Sequence, residues 1–303
     1  MNILKKIIIP FVVVIVLVYT ILSMYITNIA FQPARNDFEE TPDSYSLNYT
    51  NVSFKSDDSK DINLNGWWIE SEKNIGTIIW VHGLDSERSG GEGKLEMMKE
   101  IHDLGYSVLS FDLRGHGNSS DAPLGLGIRE KNDIYGAIKY LNKNHDVKKI
   151  GLYGISYGGV AVIDAAVNYN NDNVDIVGIF SDTPYFSVTE LLTKEVSDRT
   201  PIPHFISKLL KFGIIQSGEL FQNMNIEDVE ESMKRVSEIK FPVIIISCKN
   251  DERVPVSHPE RVYSYSKNSK YVAFDYCEDH GEAYETNKEK FMEEFKNYFE
   301  NKF

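Results

Sequence analysis

The stretch KKIGLYGISYGGVAVIDAAV, residues 148–167, decides the fold. A short apolar run typical of a buried strand leads into Gly154-Ile155-Ser156-Tyr157-Gly158, and apolar residues at helical spacing follow. A serine between a strand and a helix takes strained backbone angles, and its glycine neighbours remove side chains that would clash. We therefore predict that Ser156 is a nucleophile whose hydroxyl projects into solvent above the sheet. The alternative is a glycine-rich turn whose serine only caps the helix.

A serine hydroxyl needs a base that takes its proton, and the imidazole of that base needs a carboxylate that fixes its tautomer. His280 follows the last predicted strand, and Asp251 follows the strand before it. The chain order Ser156, Asp251, His280 is the one expected for such a turn. His258 stays open as an alternative base, and Asp182, which also ends a predicted strand, as an alternative acid.

Eight apolar or alternating runs predict strands, at residues 45–54, 62–70, 76–81, 107–111, 149–153, 174–181, 242–247 and 270–274. Helical spacing predicts helices at residues 94–104, 128–142, from 157 onward and at 284–299. The first two strands are expected to form an antiparallel edge pair. Because helices separate the later strands, we predict a mostly parallel eight-stranded α/β sheet that is covered by helices on both faces. Such sheets bind ligands at the carboxyl ends of their strands.

The interval between residues 182 and 240 breaks this alternation. Apolar helical stretches at 204–212 and 225–239 predict a helical cap inserted at about residues 183–240 of a single domain that covers residues 45–303. The apolar side chains of the cap either line a pocket for an acyl chain or only bury its own helices. Residues 31–44, which include two prolines, are predicted to be a linker.

The N-terminal segment is the most apolar part of the chain. No charged residue occurs from 7 to 34, and about 20 apolar residues suffice for a helix to cross a bilayer. We predict a transmembrane anchor over residues 1–30. A cleaved signal peptide is the alternative, although its apolar run is shorter and residues 28–30 make a poor cleavage site. The preceding Lys5 and Lys6 place the N-terminus in the cytoplasm and the domain outside it.

Charge and composition exclude several classes of function. The 32 Lys and Arg against 45 Asp and Glu give a formal charge of −13, which argues against a nucleic-acid partner. Without Lys5 and Lys6, the chain beyond the anchor carries 30 basic and 45 acidic residues, a charge of −15 that anionic lipid headgroups would repel. The sequence has no metal-ligand spacing and no G-x-G-x-x-G after the first parallel strand, so no cofactor or metal is expected.

The two cysteines occupy equivalent positions on neighbouring predicted strands. Cys248 precedes Asp251 by three residues, and Cys277 precedes His280 by three. In an oxidising compartment they could form a disulfide that ties the two loops together, provided that their Cα atoms lie within about 7 Å. Two buried free thiols are the alternative.

The chain resembles the α/β-hydrolase superfamily over about residues 62–300, and most resembles its membrane-anchored lysophospholipase and serine-aminopeptidase-like branch. The resemblance rests on five motifs in the family's order: His-Gly at 82–83, DLRGHG at 112–117, GISYG at 154–158, DERVP at 251–255 and His-Gly at 280–281.

The resemblance implies further site residues. The backbone N–H groups of Leu84 and Tyr157 would form the oxyanion hole, which stabilises the charged tetrahedral intermediate. His82, Asp112 and His116 are expected to be structural.

These observations predict a membrane-anchored serine hydrolase that cleaves carboxylic esters through an acyl-enzyme. Ser156 is the nucleophile, His280 the base and Asp251 the acid. A membrane anchor beside an apolar pocket favours a small-molecule ester derived from lipid. The alternatives are an acyltransferase or a peptidase on the same residues, or a non-catalytic binding module on the hydrolase scaffold.

Overall fold

The structure is a computed structural model that describes residues 3–303, apart from residues 172, 223–224 and 267. Packing divides the chain into two units. The helical unit consists of Met1–Gln32 and Val188–Glu227, and the sheet unit consists of Pro33–Ser187 and Asp228–Phe303.

The sheet unit is built on one eight-stranded sheet. Its strands are β1 (Thr50–Lys55), β2 (Asn63–Ile69), β3 (Gly76–Val81), β4 (Tyr106–Phe111), β5 (Lys149–Ile155), β6 (Asp175–Asp182), β7 (Val243–Cys248) and β8 (Lys270–Phe274). They lie in the order β1-β2-β4-β3-β5-β6-β7-β8. β1, β2 and β4 pair antiparallel, and all pairs from β4 to β8 are parallel. The predicted mostly parallel sheet with an antiparallel edge pair is confirmed.

Helices connect and flank these strands. They are α1 (Ile3–Ala30), α2 (Lys94–Leu104), α3 (Lys131–His145), α4 (Tyr157–Val167), α5 (Val188–Arg199), α6 (His204–Gln222), α7 (Asp228–Lys234), α8 (Ser257–Tyr265), α9 (Ala283–Thr286) and α10 (Lys288–Phe299). Two short 3₁₀ helices cover Pro42–Tyr45 and Arg235–Glu238.

Several predicted helix boundaries were wrong. The prediction missed α5 and α8. In α5, Val188, Leu191, Leu192 and Val196 do have helical spacing, whereas α8 has few apolar residues. It began α3 three residues early, at a position where the Ile128 N–H still bonds the Gly125 carbonyl in a turn. The predicted closing helix is interrupted at Asn287, between α9 and α10.

Aromatic side chains fill the core beside the central strands. Tyr153 on β5 and Phe180 on β6 have ring centroids 5.9 Å apart, and Phe180 lies 5.2 Å from Phe291 and 5.4 Å from Phe295 on α10. These four side chains are fully buried. Burying large aromatic rings supplies much of a core's stability, so this packing holds the strands whose carboxyl ends carry the candidate site.

The helical unit consists of α1, α5 and α6. Its small apolar core contains Ile26, Leu192, Val196, Leu210 and Ile214. Within α1, the segment Lys6–Ala30 is long and apolar enough to cross a membrane, by length and composition, and its most apolar 18 residues have a mean hydropathy of 2.9.

Candidate active site

Ser156 lies in a sharp turn between β5 and α4. Its φ of +52° and ψ of −109° are strained for a residue with a side chain. A Cβ on Gly154 would lie 2.3 Å from the Gly158 carbonyl oxygen, and a Cβ on Gly158 would lie 2.3 Å from that of Val81. Only glycine fits at both positions. The Ser156 N–H donates to the Asp182 carbonyl at 2.7 Å, which fixes the turn against the next strand.

Ser156, His280 and Asp251 form a continuous chain of hydrogen bonds. His280 Nε2 lies 2.8 Å from Ser156 Oγ, and His280 Nδ1 lies 2.7 Å from Asp251 Oδ2. An ionised carboxylate only accepts, so it assigns the proton to Nδ1 and leaves Nε2 as an acceptor for the serine hydroxyl. We expected the Ser156 hydroxyl to project into solvent. Ser156 is only 9% exposed, however, and its hydroxyl faces the imidazole of His280.

Each alternative residue has other partners. His258 is buried on α8, where its Nδ1 accepts from the Phe186 N–H at 3.2 Å. The Asp182 carboxylate accepts from Thr183 Oγ1 at 2.8 Å and from Tyr153 Oη at 3.4 Å. Burial raises its pKa to about 6. The hydrogen bonds that connect a base to Ser156 and an acid to that base are instead made by His280 and Asp251.

Two links join the loops that carry the acid and the base. Cys248 and Cys277 form a disulfide with Cα atoms 5.8 Å apart. Of the two alternatives for these cysteines, the disulfide is therefore correct and the pair of free thiols is not. Asn250 adds a second link, because its side chain donates to the Cys277 carbonyl at 2.7 Å and accepts from the Cys277 N–H at 2.9 Å. Asp251 Oδ1 also accepts the N–H of Val254, 2.8 Å away. The carboxylate is therefore oriented on both sides.

A buried lysine supports the loop after His280. Lys94 at the start of α2 donates from Nζ to the Gly281 carbonyl at 2.8 Å, and it pairs with Glu285 at 2.5 Å. Neither Lys94 nor Asn250 was a predicted site residue, because the contacts of both depend on loops that are distant along the chain.

Two histidines hold the loop that contains Leu84. His82 Nε2 accepts from the Leu113 N–H at 3.0 Å, so Nδ1 carries the proton that is donated to the Gly83 carbonyl at 2.7 Å. Burial and the neighbouring His116 lower the pKa of His82 to about 3, so the ring is neutral.

The loop is fixed on the other side of Leu84 as well. His116 Nε2 accepts from the Asp85 N–H at 3.3 Å. A Cβ on Gly83 would lie 3.9 Å from the Ser156 Cβ, which places this loop beside the nucleophile turn. The expected structural roles of His82 and His116 are confirmed.

Asp112 is also structural, as expected. It is fully buried and accepts from the Arg88 side chain at 2.7 Å and from the Asn118 N–H at 2.8 Å. Within the described part of the chain, no group of three or more His, Cys, Asp and Glu side chains is placed to hold a metal ion.

Comparisons with known proteins support the assignment of the fold. A solved structure of the esterase Pf2001 from Pyrococcus furiosus superposes with a TM-score of 0.69, at 23% identity over 88% of this chain and 98% of that one. The sequence model of the family described as "Serine aminopeptidase, S33" matches residues 72–214. The chain therefore has the α/β-hydrolase fold.

Two curated relatives of this chain are informative. The uncharacterized membrane protein YNL320W of Saccharomyces cerevisiae is 25% identical over 81% of this chain and 77% of its own length. The lysophosphatidylserine lipase ABHD12 of Danio rerio is 21% identical over 67% of this chain and 51% of its own length.

The structure also fixes the side chain of Tyr157, the residue after Ser156. The Tyr157 hydroxyl accepts from the Gly125 N–H at 2.9 Å and is bonded to Glu130. Glu130 is fully buried, and its Oε1 also accepts the Gly125 N–H at 2.9 Å. Burial and the nearby Asp133 raise the pKa of Glu130 to about 7. The sequence carries no signal for this role, since Glu130 lies in a polar turn.

We predict that Glu130→Gln flattens the pH dependence of stability. The folded state holds the Glu130 proton up to about pH 7, whereas an unfolded glutamate releases it near pH 4.5. Between pH 4.5 and pH 7 the unfolded chain therefore binds fewer protons than the folded chain. As a result, Glu130 should lower the free energy of unfolding of the unmodified chain by about 3 kcal/mol as the pH rises over this range. Urea unfolding at several pH values measures the difference from the variant.

The control for this prediction is Glu72→Gln at an exposed position, which should leave the pH dependence of the unmodified chain in place. If the free energy of unfolding of Glu130→Gln depended on pH as steeply as that of the unmodified chain, Glu130 would be ionised in the folded protein and the prediction would be wrong.

Proposed function

We propose that this α/β-hydrolase is a membrane-anchored serine hydrolase that cleaves carboxylic esters through an acyl-enzyme. The single observation that carries the proposal is the hydrogen-bond chain from Ser156 Oγ through the His280 imidazole to the Asp251 carboxylate, with distances of 2.8 and 2.7 Å. A hydroxyl becomes a useful nucleophile when a positioned base takes its proton during attack.

In the first half of the reaction, Ser156 Oγ attacks the ester carbonyl carbon while His280 Nε2 takes the hydroxyl proton. Asp251 stabilises the imidazolium that forms. The negative charge on the carbonyl oxygen is stabilised by the N–H groups of Leu84 and Tyr157, each contributing on the order of 3 kcal/mol. The C–O bond to the leaving alcohol then breaks, and His280 donates its proton to that alcohol.

The second half hydrolyses the acyl-enzyme. His280 takes a proton from a water molecule, whose oxygen attacks the acyl carbon and forms a second tetrahedral intermediate. The bond to Ser156 Oγ breaks, the serine recovers its proton from His280, and the carboxylic acid leaves.

Three observations support the membrane anchor and its orientation. The apolar segment of α1 is long enough to span a bilayer, and Lys5 and Lys6 precede it, so we place the N-terminus in the cytoplasm. The Cys248–Cys277 disulfide fits a domain on the other side, where thiols are oxidised. The yeast relative is itself described as a membrane protein.

A lipid-derived ester is the proposed substrate class. The zebrafish relative is named for the hydrolysis of a lysophospholipid, which is an ester with one acyl chain. A protein held in a bilayer meets such amphiphiles at high local concentration. The description of the matching family as serine aminopeptidases favours a peptide amide as a second candidate. Relative rates on acyl esters and aminoacyl amides with the same chromophore distinguish the two.

We predict that a fluorophosphonate probe labels the full chain at Ser156. The probe phosphorylates an activated serine hydroxyl, so Ser156→Ala should abolish labelling. The matched control is Ser264→Ala, a hydroxyl on α8 that bonds the Arg261 carbonyl and should not affect the reaction. Labelling that survives in Ser156→Ala would remove the nucleophile assignment.

We also predict that the two buried aspartates differ in their effect on catalysis. Asp251→Asn removes the acceptor that fixes the His280 tautomer and should lower kcat roughly 10³–10⁴-fold. Asp182→Asn keeps the backbone carbonyl that bonds the Ser156 N–H, so we expect a loss below about tenfold. Hydrolysis rates of p-nitrophenyl esters measure both. Equal losses, or a larger loss for Asp182→Asn, would contradict the assignment of the acid.

A further inference from the structure

Helix α6 carries an apolar stripe that no part of the described chain covers. The stripe consists of Phe205, Leu209, Phe212 and Leu220, which are 65%, 70%, 71% and 75% exposed. Their spacing of four, three and eight residues places them on one face of the helix. Large apolar side chains at such exposure and on one face mark a surface that has a partner.

The opposite side of α6 packs along the second half of α1. The Tyr19 hydroxyl accepts the Gly213 N–H at 3.0 Å, and Thr27 Oγ1 donates to the Ile214 carbonyl at 3.1 Å. The Phe31 ring lies against Gly218, where a Cβ would approach it to 3.2 Å. Residues later in α1 contact residues later in α6, so the two helices run in the same direction.

The two helices approach each other very closely. A Cβ on Gly213 would lie 2.2 Å from Ser23 Oγ and 2.7 Å from the Tyr19 ring. Small residues at a contact that includes hydrogen bonds to the backbone are typical of helix pairs inside membranes, where no hydrophobic effect drives helices together.

The length of α1 determines the depth at which this contact lies. From Ile7 to Val18 every residue of α1 is exposed, and these twelve residues span about 18 Å at 1.5 Å per residue. The hydrocarbon core of a bilayer is about 30 Å thick. If hydrocarbon begins at Ile7, it extends about 12 Å beyond Val18 and covers the part of α1 that packs against the first half of α6.

The two lysines of α6 limit how deep the helix can lie. Lys208 and Lys211 lie on one side of the stripe, and α6 has no acidic residue before Glu219. A lysine near the membrane surface extends its chain along apolar side chains and keeps its ammonium among the phosphates. At the bilayer centre a charged lysine would instead be unfavourable.

We propose that α6 lies in the lipid leaflet away from the cytoplasm, with Phe205, Leu209 and Phe212 among the acyl chains and Leu220 at the surface. The occupant of the stripe is therefore lipid, since α6 packs on the helix that we place in the bilayer. The inference rests on the proposed membrane anchor. It adds a second membrane element, drawn from the segment inserted between β6 and β7.

Tryptophan fluorescence in lipid nanodiscs tests the proposal on the full chain. Leu209→Trp and Leu220→Trp are a matched pair, because both replace exposed leucines of one helix. The native Trp67, Trp68 and Trp80 are at most 4% exposed in the sheet unit and supply a constant background. Phosphatidylcholine that is brominated midway along its acyl chains should quench the added emission of Leu209→Trp strongly and that of Leu220→Trp weakly.

Val16→Trp separates this proposal from the membrane anchor, since Val16 lies in the exposed half of α1. Quenching at position 16 without quenching at 209 would overturn the placement of α6 and leave the anchor intact. In that case, quenching of Leu209→Trp by iodide would show that the stripe is exposed to water. Protection of Leu209→Trp from both iodide and brominated lipid would show that a second copy of the chain or another protein covers the stripe.

Two further outcomes also overturn the proposal. Equal quenching at 209 and 220 would contradict the inferred depth, and no quenching at position 16 would remove the anchor together with the inference. Fluorophosphonate labelling of every variant reports separately on the proposed hydrolase, because none of the three substitutions touches Ser156, Asp251 or His280.

Discussion

The tight backbone turn at Ser156 is the constraint on which the candidate site depends. The strand β5 must end and α4 must begin within one residue, so the backbone takes a positive φ and the carbonyl of Gly158 passes 2.3 Å from the place of a Gly154 Cβ. No larger residue fits there. This strain is held by the packed sheet and by the bond from the Ser156 N–H to the Asp182 carbonyl.

The other site residues are held by contacts that do not react. The acid and base loops are joined by a disulfide and by the reciprocal bonds of Asn250 with Cys277, and Lys94 supports the chain after His280. On the opposite side, His82 and His116 fix the backbone around Leu84. A rigid surround of this kind maintains hydrogen-bond distances without reorganisation during the reaction, which is the main way in which enzymes stabilise developing charge.

Features that depend on short stretches of sequence were predictable. The glycines around Ser156 and the apolar runs of the strands are local, and they gave the order of the strands along the chain and the three residues that the structure brings together. The disulfide could be suggested because Cys248 and Cys277 stand at equal distances before Asp251 and His280.

Features that depend on distant contacts were not predictable. Helix α8 carries few apolar residues, and Leu192 and Val196 of α5 are buried by residues of α1 and α6. The roles of Glu130 and Lys94 follow from burial, which a polar residue does not reveal in sequence. The packing of α6 along α1 joins segments about 190 residues apart, as in the bond between Thr27 and Ile214. No periodicity within either helix points to the other.

The central claim is that Ser156 becomes acylated during turnover. The most direct measurement mixes the full chain with a p-nitrophenyl carbamate, which transfers a slowly hydrolysed carbamoyl group, and follows p-nitrophenol release together with peptide mass. We predict one equivalent of p-nitrophenol and the added mass on the peptide that contains Ser156. Release without a covalent adduct, or an adduct on another residue, would contradict the account.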